Sequence, residues 1–247
     1  MNNSYGNFAR IYDCIMTDTA DYNSVFAKYF NSIKKYGEFS KDKNILLDLG
    51  CGSGNLSKRF AEAGFDVIGV DSSEDCLSIA LDKAAGYDIR FIKQDIRRLD
   101  LYGTVNVTVA AFDVINHLQS LSDISECFKK VYLFTEPGGI FLFDYNTVYK
   151  LSKVLANNIF NFDYDEFFCS WENSSRGNKV TMNINVFEKR GETYRRFTEQ
   201  IVETAFEEAV IIKLLADCGF AVDIVDFDTG EAVSKTTERI LFAAHKI

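Results

Sequence analysis

The sequence predicts an α/β fold, with helices covering both faces of a mostly parallel sheet. Short apolar runs alternate with helical stretches over most of the chain. Such alternation is built from right-handed β-α-β crossovers, which place neighbouring strands in parallel. At 247 residues the chain is long enough for one principal core with an appended element.

The elements of the core follow a helical N-terminus. Apolar residues recur at helical spacing from residue 7 to about residue 36, with an interruption near 17–21, so we expect a two-helix cap within 1–40. Seven short apolar runs then predict buried strands. The predicted strands are 44–49, 66–70, 89–93, 105–111, 139–145, 221–228 and 239–245, and the predicted helices between them are 55–63, 74–84, 123–134 and 208–218.

The α/β pattern is interrupted after residue 146. A helix predicted at 148–156 is followed by strand patterns at 167–172, 180–188 and 194–204, separated by turns rich in glycine, serine and asparagine. These patterns predict a small antiparallel insertion at 148–204, which we expect to contact the substrate or a second copy of the chain. The core then comprises 41–147 and 205–247.

Charge and cysteine usage narrow the possible partners. The net charge is −9 and basic pairs are isolated, so no positive field would attract a nucleic-acid backbone. No apolar stretch is as long as a membrane span, and the first residues do not resemble a secretory signal. We therefore expect a cytoplasmic protein, either a monomer or a homodimer. Six scattered cysteines and two histidines predict no metal site.

The strongest signal is the loop at residues 48–54, Asp-Leu-Gly-Cys-Gly-Ser-Gly, between the first predicted strand and helix. Glycines let the backbone approach a ligand, and a helix start offers unpaired N–H groups. The next strand ends in Asp71, where a carboxylate can accept hydrogen bonds from ribose hydroxyls. The third strand ends near Asp95. Because parallel strands end at one edge of the sheet, Asp48, Asp71 and Asp95 are expected to line one crevice.

These motifs resemble those of the class I S-adenosylmethionine-dependent methyltransferases. The resemblance rests on the loop at 48–54, Gly-Val-Asp-Ser-Ser at 69–73, Gln-Asp-Ile at 94–96 and Pro-Gly-Gly at 137–139, in this order. It implies a Rossmann-like sheet of seven strands, S-adenosylmethionine as methyl donor and S-adenosylhomocysteine as product.

The resemblance also implies which residues contact the cofactor. The 50–54 loop would pass beneath the methionine moiety, Asp71 would hold the ribose hydroxyls, and Asp95 with the backbone N–H of Ile96 would contact the adenine. The predicted cofactor residues in this part of the chain are Asp48, Gly50, Cys51, Gly52, Gly54, Asp71, Ser72, Asp95, Ile96 and Phe112.

A narrower similarity, to N-methyltransferases of nucleotide-linked amino sugars, adds three residues. It would place Tyr5 and Arg10 near the methionine carboxylate and His117 at the reaction centre. His117 follows the fourth predicted strand, where a general base or a substrate-orienting group could act. The alternative is a helix-terminal histidine bonded to backbone. Phe112, in the same segment, could place its ring face against the sulfonium.

The expected reaction is methyl transfer to a nitrogen or oxygen atom of a small-molecule acceptor. The segment after the fourth strand lacks the Pro-Pro-aromatic element of DNA amino-methyltransferases, and the chain has one proline. Two other functions remain open. One is an NAD-dependent oxidoreductase built on a similar sheet. The spacing of the glycines and the presence of Asp95 both argue against this function. The other is a non-catalytic protein that binds S-adenosylmethionine.

Overall fold

Two helices precede the sheet in the computed structural model, which describes residues 4–37 and 44–247, with side chains from residue 8 onward. Helix α1 covers Ser4–Thr19 and α2 covers Tyr22–Tyr36. Asp21 begins α2, because its side chain accepts hydrogen bonds from the second and third residues that follow it. The predicted interruption near 17–21 is confirmed at this cap.

Within the described residues, eleven strands form two sheets. They are β1 (Ile45–Leu49), β2 (Asp66–Asp71), β3 (Ile89–Lys93), β4 (Val105–Ala110), β5 (Thr135–Asn146), β6 (Ile159–Asp163), β7 (Phe167–Arg176), β8 (Lys179–Arg190), β9 (Thr193–Thr204), β10 (Phe220–Asp226) and β11 (Arg239–Lys246). The remaining α-helices are α3 (Asn55–Glu62), α4 (Glu74–Lys83), α5 (Leu121–Phe134) and α6 (Glu208–Cys218).

The main sheet has the strand order β3-β2-β1-β4-β5-β11-β10. Its pairs are parallel, except that β11 runs antiparallel to both β5 and β10. The predicted Rossmann-like, mostly parallel sheet is therefore confirmed. The order reverses between β1 and β4, and a ligand crevice opens where such a reversal occurs. The loops after β1 and β4 flank that point.

Side chains alternate between two apolar layers across this sheet. Leu47 and Leu49 face the layer that includes Phe128 of α5, whereas Leu46 faces the layer that includes Tyr29 of α2 and Phe60 of α3. All six residues are fully buried. A strand buried on both faces reads as a continuous apolar run, which explains why β1 was predictable. No helix in the described ranges is long and apolar enough to cross a membrane.

The second sheet contains β6, β7, β8 and β9 in sequential antiparallel order. The predicted antiparallel insertion is thus confirmed, with two differences. The predicted helix at 148–156 includes a π-helical turn at Lys150–Val154. Strand β6 was not predicted. It is a short edge strand whose residues are mostly exposed, although Phe160 and Phe162 alternate with polar residues. How the chain divides into domains stays a prediction.

Candidate active site

The glycine loop after β1 uses backbone conformations that favour glycine. Gly50, Gly52 and Gly54 have φ angles of +75°, +51° and +73°. The N–H groups of residues 50 and 51 donate to the Val70 carbonyl at 2.7 and 3.0 Å, which ties the loop to β2. A Cβ on Gly50 would lie 2.5 Å from Cγ2 of Val114, whereas one on Gly52 would meet nothing within 4 Å. The loop therefore presses against the segment after β4 and borders open space at Gly52.

Asp71 lies at the end of β2 and faces this loop. Its Oδ2 accepts a hydrogen bond from the Gly52 N–H at 2.9 Å, and its Oδ1 accepts one from the Ser73 N–H at 2.8 Å. The carboxylate is partly buried, and Ser72 beside it is exposed. The structure thus brings together the two predicted cofactor elements, the loop and Asp71.

Asp48 and Cys51 have buried side chains. Asp48 is 2% exposed, and its Oδ2 accepts a hydrogen bond from Ser57 Oγ at 2.5 Å. Burial raises the pKa of Asp48 to about 6 and raises the pKa of the Cys51 thiol well above its usual value. Asp48 supports the loop from within the protein, and Cys51 is a protonated thiol, because the charges of Asp48 and Asp71 add to the effect of burial on its pKa. Their predicted cofactor contacts stay predictions.

Asp95 begins a 3₁₀ turn at Ile96–Arg98. Its Oδ1 accepts from the Arg97 N–H at 2.9 Å, and its Oδ2 lies 2.5 Å from Arg97 Nη2. The Arg97 guanidinium also lies 2.9 Å from Asp123, and hydrogen bonding from Arg97 lowers the pKa of Asp95. Ile96 packs against the core. Asp95 is therefore an ion-paired capping residue, and its predicted contact with adenine stays a prediction.

The segment after β4 starts with a left-handed turn. Phe112 and Asp113 have φ angles of +60° and +54°, which are uncommon for residues with a side chain. The fully buried carboxylate of Asp144 accepts hydrogen bonds from their two N–H groups at 2.7 and 3.0 Å. Tyr29 donates to the same carboxylate at 2.5 Å, and Arg239 lies 3.5 Å away. Asp144 thus holds the turn in place from β5.

Three ionisable side chains meet beside this turn. Asp113, His117 and Glu203 each place one ligand atom within 4.8 Å of the others. Glu203 comes from β9 and is 5% exposed, whereas the His117 side chain is 44% exposed, with Nε2 at 3.8 Å from Asp113 Oδ1. The structure therefore places the predicted catalytic histidine at the same mouth as two carboxyl groups that were not predicted. We call these three residues the acidic cluster.

Asn146 connects the two carboxyl groups of this cluster. Its Nδ2 donates to Asp113 Oδ2 and to Glu203 Oε2, both at 2.9 Å, and its Oδ1 accepts from Lys150 Nζ at 2.9 Å. Asn116 adds a second link, because its Nδ2 donates to the carbonyl groups of residues 146 and 204 at 3.0 and 3.1 Å. The small sheet is thereby fixed to the main sheet where β9 ends.

Burial sets the proton affinities in this region. It raises the pKa of Glu203 to about 8, and the neighbouring charge of Asp113 adds to the shift. Burial and the charge of Arg239 lower the pKa of Lys150. The cluster has a spacing that a metal ion could accept, but Lys150 and Arg239 already supply positive charge there. A carboxyl group that titrates near neutral pH is suited to proton transfer.

Two predicted cofactor residues, Arg10 and Tyr5, belong to the N-terminal helix α1. The predicted methionine-carboxylate residue Arg10 is exposed and pairs with Glu188 at 3.1 Å and with Glu166 at 3.8 Å, both from the insertion. The Tyr5 side chain lies outside the described residues. The predicted contacts of Arg10 and Tyr5 with the cofactor therefore stay predictions.

Comparison with known proteins agrees with this geometry. The family described as "Methyltransferase domain" matches residues 46–139. The protein named "Putative methyltransferase YqeM" from Bacillus subtilis (strain 168) is 31% identical over 98% of this chain and 97% of its own length. The crystal structure of an S-adenosylmethionine-dependent methyltransferase from Clostridium acetobutylicum ATCC 824 is 34% identical, with a TM-score of 0.86 over 98% of this chain and 99% of that one.

A more distant structure shares the fold. S-adenosylmethionine-bound CalS10, an amino pentose methyltransferase from Micromonospora echinaspora, is 18% identical with a TM-score of 0.76, covering 96% of this chain and 97% of its own. A seven-stranded sheet of this order, with a glycine loop after its first strand, defines a class I methyltransferase fold. The chain belongs to the S-adenosylmethionine-dependent methyltransferase family. It is an enzyme whose cofactor is S-adenosylmethionine, and the nicotinamide alternative is set aside.

Proposed function

We propose that this enzyme methylates a small-molecule acceptor at a nitrogen or oxygen atom. Of the two, we favour nitrogen, in an amine group. The observation that carries the proposal is the acidic cluster, which meets beside the glycine loop. Two carboxyl groups at one mouth favour a protonated amine, since charge-assisted hydrogen bonds to a carboxylate are strong. The contact between Gly50 and Val114 supports placing donor and acceptor on adjacent segments.

On the donor side, we propose that the glycine loop lies beneath the methionine moiety and that Asp71 accepts from the ribose hydroxyls. The open space at Gly52 beside the Asp71 carboxylate fits this assignment. Asp95 and Ile96 would hold the adenine. When bound, the cofactor supplies an electrophilic methyl group on a positively charged sulfur. Phe112 lies in the turn after β4 with its ring 5.0 Å from that of Tyr22, and its ring would face that charge.

On the acceptor side, we propose that Glu203 takes a proton from the bound ammonium group. The ammonium charge stabilises the ionised form of Glu203, which lets the carboxylate accept that proton. Loss of that proton would leave a neutral amine, held in line with the electrophilic methyl group that the cofactor would supply. Asp113 and His117 orient the amine. Holding the two reactants close and aligned supplies most of the acceleration.

The proposal gives the insertion at 148–204 a role in acceptor binding. It contributes Glu203 and Lys150 to the polar network, and neither belongs to the segment that matches the methyltransferase domain. A monomer or homodimer in the cytoplasm stays our prediction for the whole protein.

Replacement of Asp71 by alanine tests the donor side. The change removes the acceptor for the ribose and for the Gly52 N–H, so S-adenosylhomocysteine should bind more weakly by about 1–3 kcal/mol. Asp66→Ala is the matched control, because it lies at the other end of β2 and pairs with Arg90 outside the crevice. Calorimetric titration gives both affinities. An unchanged affinity in Asp71→Ala would remove the ribose assignment.

Transfer of a labelled methyl group tests the acceptor side. The enzyme and S-adenosyl-[methyl-³H]methionine are incubated with a small-molecule cell extract separated by cation exchange into amines and other compounds. We expect label in the amine fraction, and about 100-fold slower labelling by Glu203→Gln, since a general base is lost. Glu199→Gln on the same strand should label normally. Label only in the other fraction contradicts an amine acceptor, and label in neither contradicts the proposed function.

A further inference from the structure

Helix α1 is bonded to the cofactor loop through Asp13. Lys83 of α4 places its Nζ at 2.6 and 2.7 Å from the two carboxylate oxygens of Asp13. Asn55 Nδ2 donates to Asp13 Oδ1 at 3.0 Å, and Ser53 Oγ donates to the same oxygen. Lys83 also donates to Asn55 Oδ1 at 3.1 Å. One carboxylate thus joins α1, the glycine loop and α4.

The contacts of Asp13 lie at the end of the glycine loop, where they can affect cofactor binding. Ser53 and Asn55 flank Gly54, which begins α3 with a positive φ angle and has no side-chain cap of its own. The start of a helix is where unpaired N–H groups face a ligand. Asp13 therefore fixes the orientation of the last part of the loop from outside the loop.

The residue beside Asp13, Tyr12, is buried and packs against the antiparallel insertion. Burial raises the pKa of Tyr12, and the charges of Asp113 and Glu203 add to the shift. The Tyr12 ring also lies 6.4 Å from the ring of Trp171 on β7. Consecutive residues of α1 thus bond the glycine loop, through Asp13, and pack against the insertion, through Tyr12.

The Asp13 and Lys83 pair differs from the other ion pairs on the surface. Its side chains are 15% and 29% exposed, whereas those of the neighbouring pair Glu74 and Lys93 are 80% and 56% exposed. Exposed pairs contribute little because water and salt screen them. The Asp13 carboxylate is largely shielded from water, and it accepts hydrogen bonds from Lys83, Ser53 and Asn55. Its ion pair with Lys83 is therefore stronger than the exposed pairs.

We propose that Asp13 and Lys83 form a clasp that holds α1 across the cofactor loop, so that the cofactor leaves only when the clasp opens. Both are positioning residues, since they act through Ser53, Asn55 and the position of Tyr12. The inference rests on cofactor binding and needs no assumption about the acceptor.

Rates of S-adenosylhomocysteine binding test the clasp. Trp171 is the single tryptophan of the chain, and its contact with Tyr12 makes its fluorescence a reporter of α1. Stopped-flow measurements would compare wild type with Asp13→Asn, Lys83→Met and the double variant. We expect dissociation about tenfold faster in each single variant, with little change in association. The double variant should be no faster, because both changes remove one shared interaction.

Lys93→Met is the matched control. Lys93 lies on β3 and forms an exposed ion pair with Glu74, which is on α4 like Lys83. This variant should leave both rates unchanged. The clasp is contradicted if the single variants dissociate at the wild-type rate, if their effects add in the double variant, or if affinity falls only through slower association. Failure of the amine proposal would leave these rates as they are, so the two tests are independent.

Discussion

Gly50→Ala is expected to weaken S-adenosylhomocysteine binding by about 30-fold or more. A left-handed conformation costs a residue with a side chain roughly 1–2 kcal/mol, and forcing a methyl group into a packed contact costs roughly 1–3 kcal/mol more. Both penalties apply, because φ at Gly50 is +75° and the added Cβ would lie 2.5 Å from Val114 Cγ2. The loop must therefore move away from the segment after β4, and it carries the proposed methionine site with it.

Two variants separate these effects. Gly64→Ala introduces the same kind of strain at φ +97° with no atom within 4 Å, away from the crevice, so it should leave the affinity unchanged. The double variant Gly50→Ala, Val114→Ala removes the two shortest contacts, at 2.5 and 2.7 Å, but leaves the contact with Cβ at 3.2 Å and the strain, so it should recover part of the binding. Calorimetric titration measures all of them. Wild-type affinity in Gly50→Ala would contradict the role of this close approach.

The donor half of the site was predictable because it is local in sequence. The strands β1 and β2 are mostly apolar, the glycine loop follows β1 directly, and Asp71 is the last residue of β2. Parallel strands bring these short segments to one edge without further information. The proximity of the loop and Asp71 was therefore predictable from residue types and spacing, whereas their contacts with the cofactor stay predictions.

The acceptor half was harder to predict because its residues come from separate elements. Its four charged residues come from four places in the chain. Asp113 follows β4 and Lys150 precedes β6, whereas Glu203 lies at the end of β9 and Arg239 begins β11. Local sequence patterns do not show that distant residues meet in space. A single glutamate in a strand is ordinarily predicted to face solvent. The pairing of β8 with β9 is what identifies Glu203 as an inward-facing residue. Glu203 is in register with the buried Val180, so it occupies an inward position of its strand.

Asp13 was missed for a related reason. A polar residue on an amphipathic helix is ordinarily exposed, and nothing nearby in sequence marks Lys83 as its partner. Asp144 is similar, since it lies in an apolar strand and holds the turn at Phe112 only through tertiary contacts. Support for the site therefore comes largely from buried carboxylates whose partners are distant in sequence.

Glu203→Gln is expected to stabilise the protein increasingly as the pH rises from about 4 to about 8. In the folded protein burial raises the pKa of Glu203 to about 8, whereas an unfolded glutamate has its ordinary value of about 4.3. Between these values the unfolded chain loses the proton while the folded chain keeps it. The free energy of unfolding of the wild type therefore falls through this window and levels off above pH 8.

Glutamine does not titrate, so the free energy of unfolding of the variant does not fall in this way as the pH rises. The advantage of Glu203→Gln over wild type should grow by about 2–4 kcal/mol between pH 4 and pH 8.5, as measured by urea unfolding. Glu199→Gln on the same strand should follow the wild-type curve. Parallel curves for wild type and Glu203→Gln would contradict the raised pKa. A variant that is more stable but slow in methyl transfer would mark Glu203 as a residue kept for chemistry at a cost in stability.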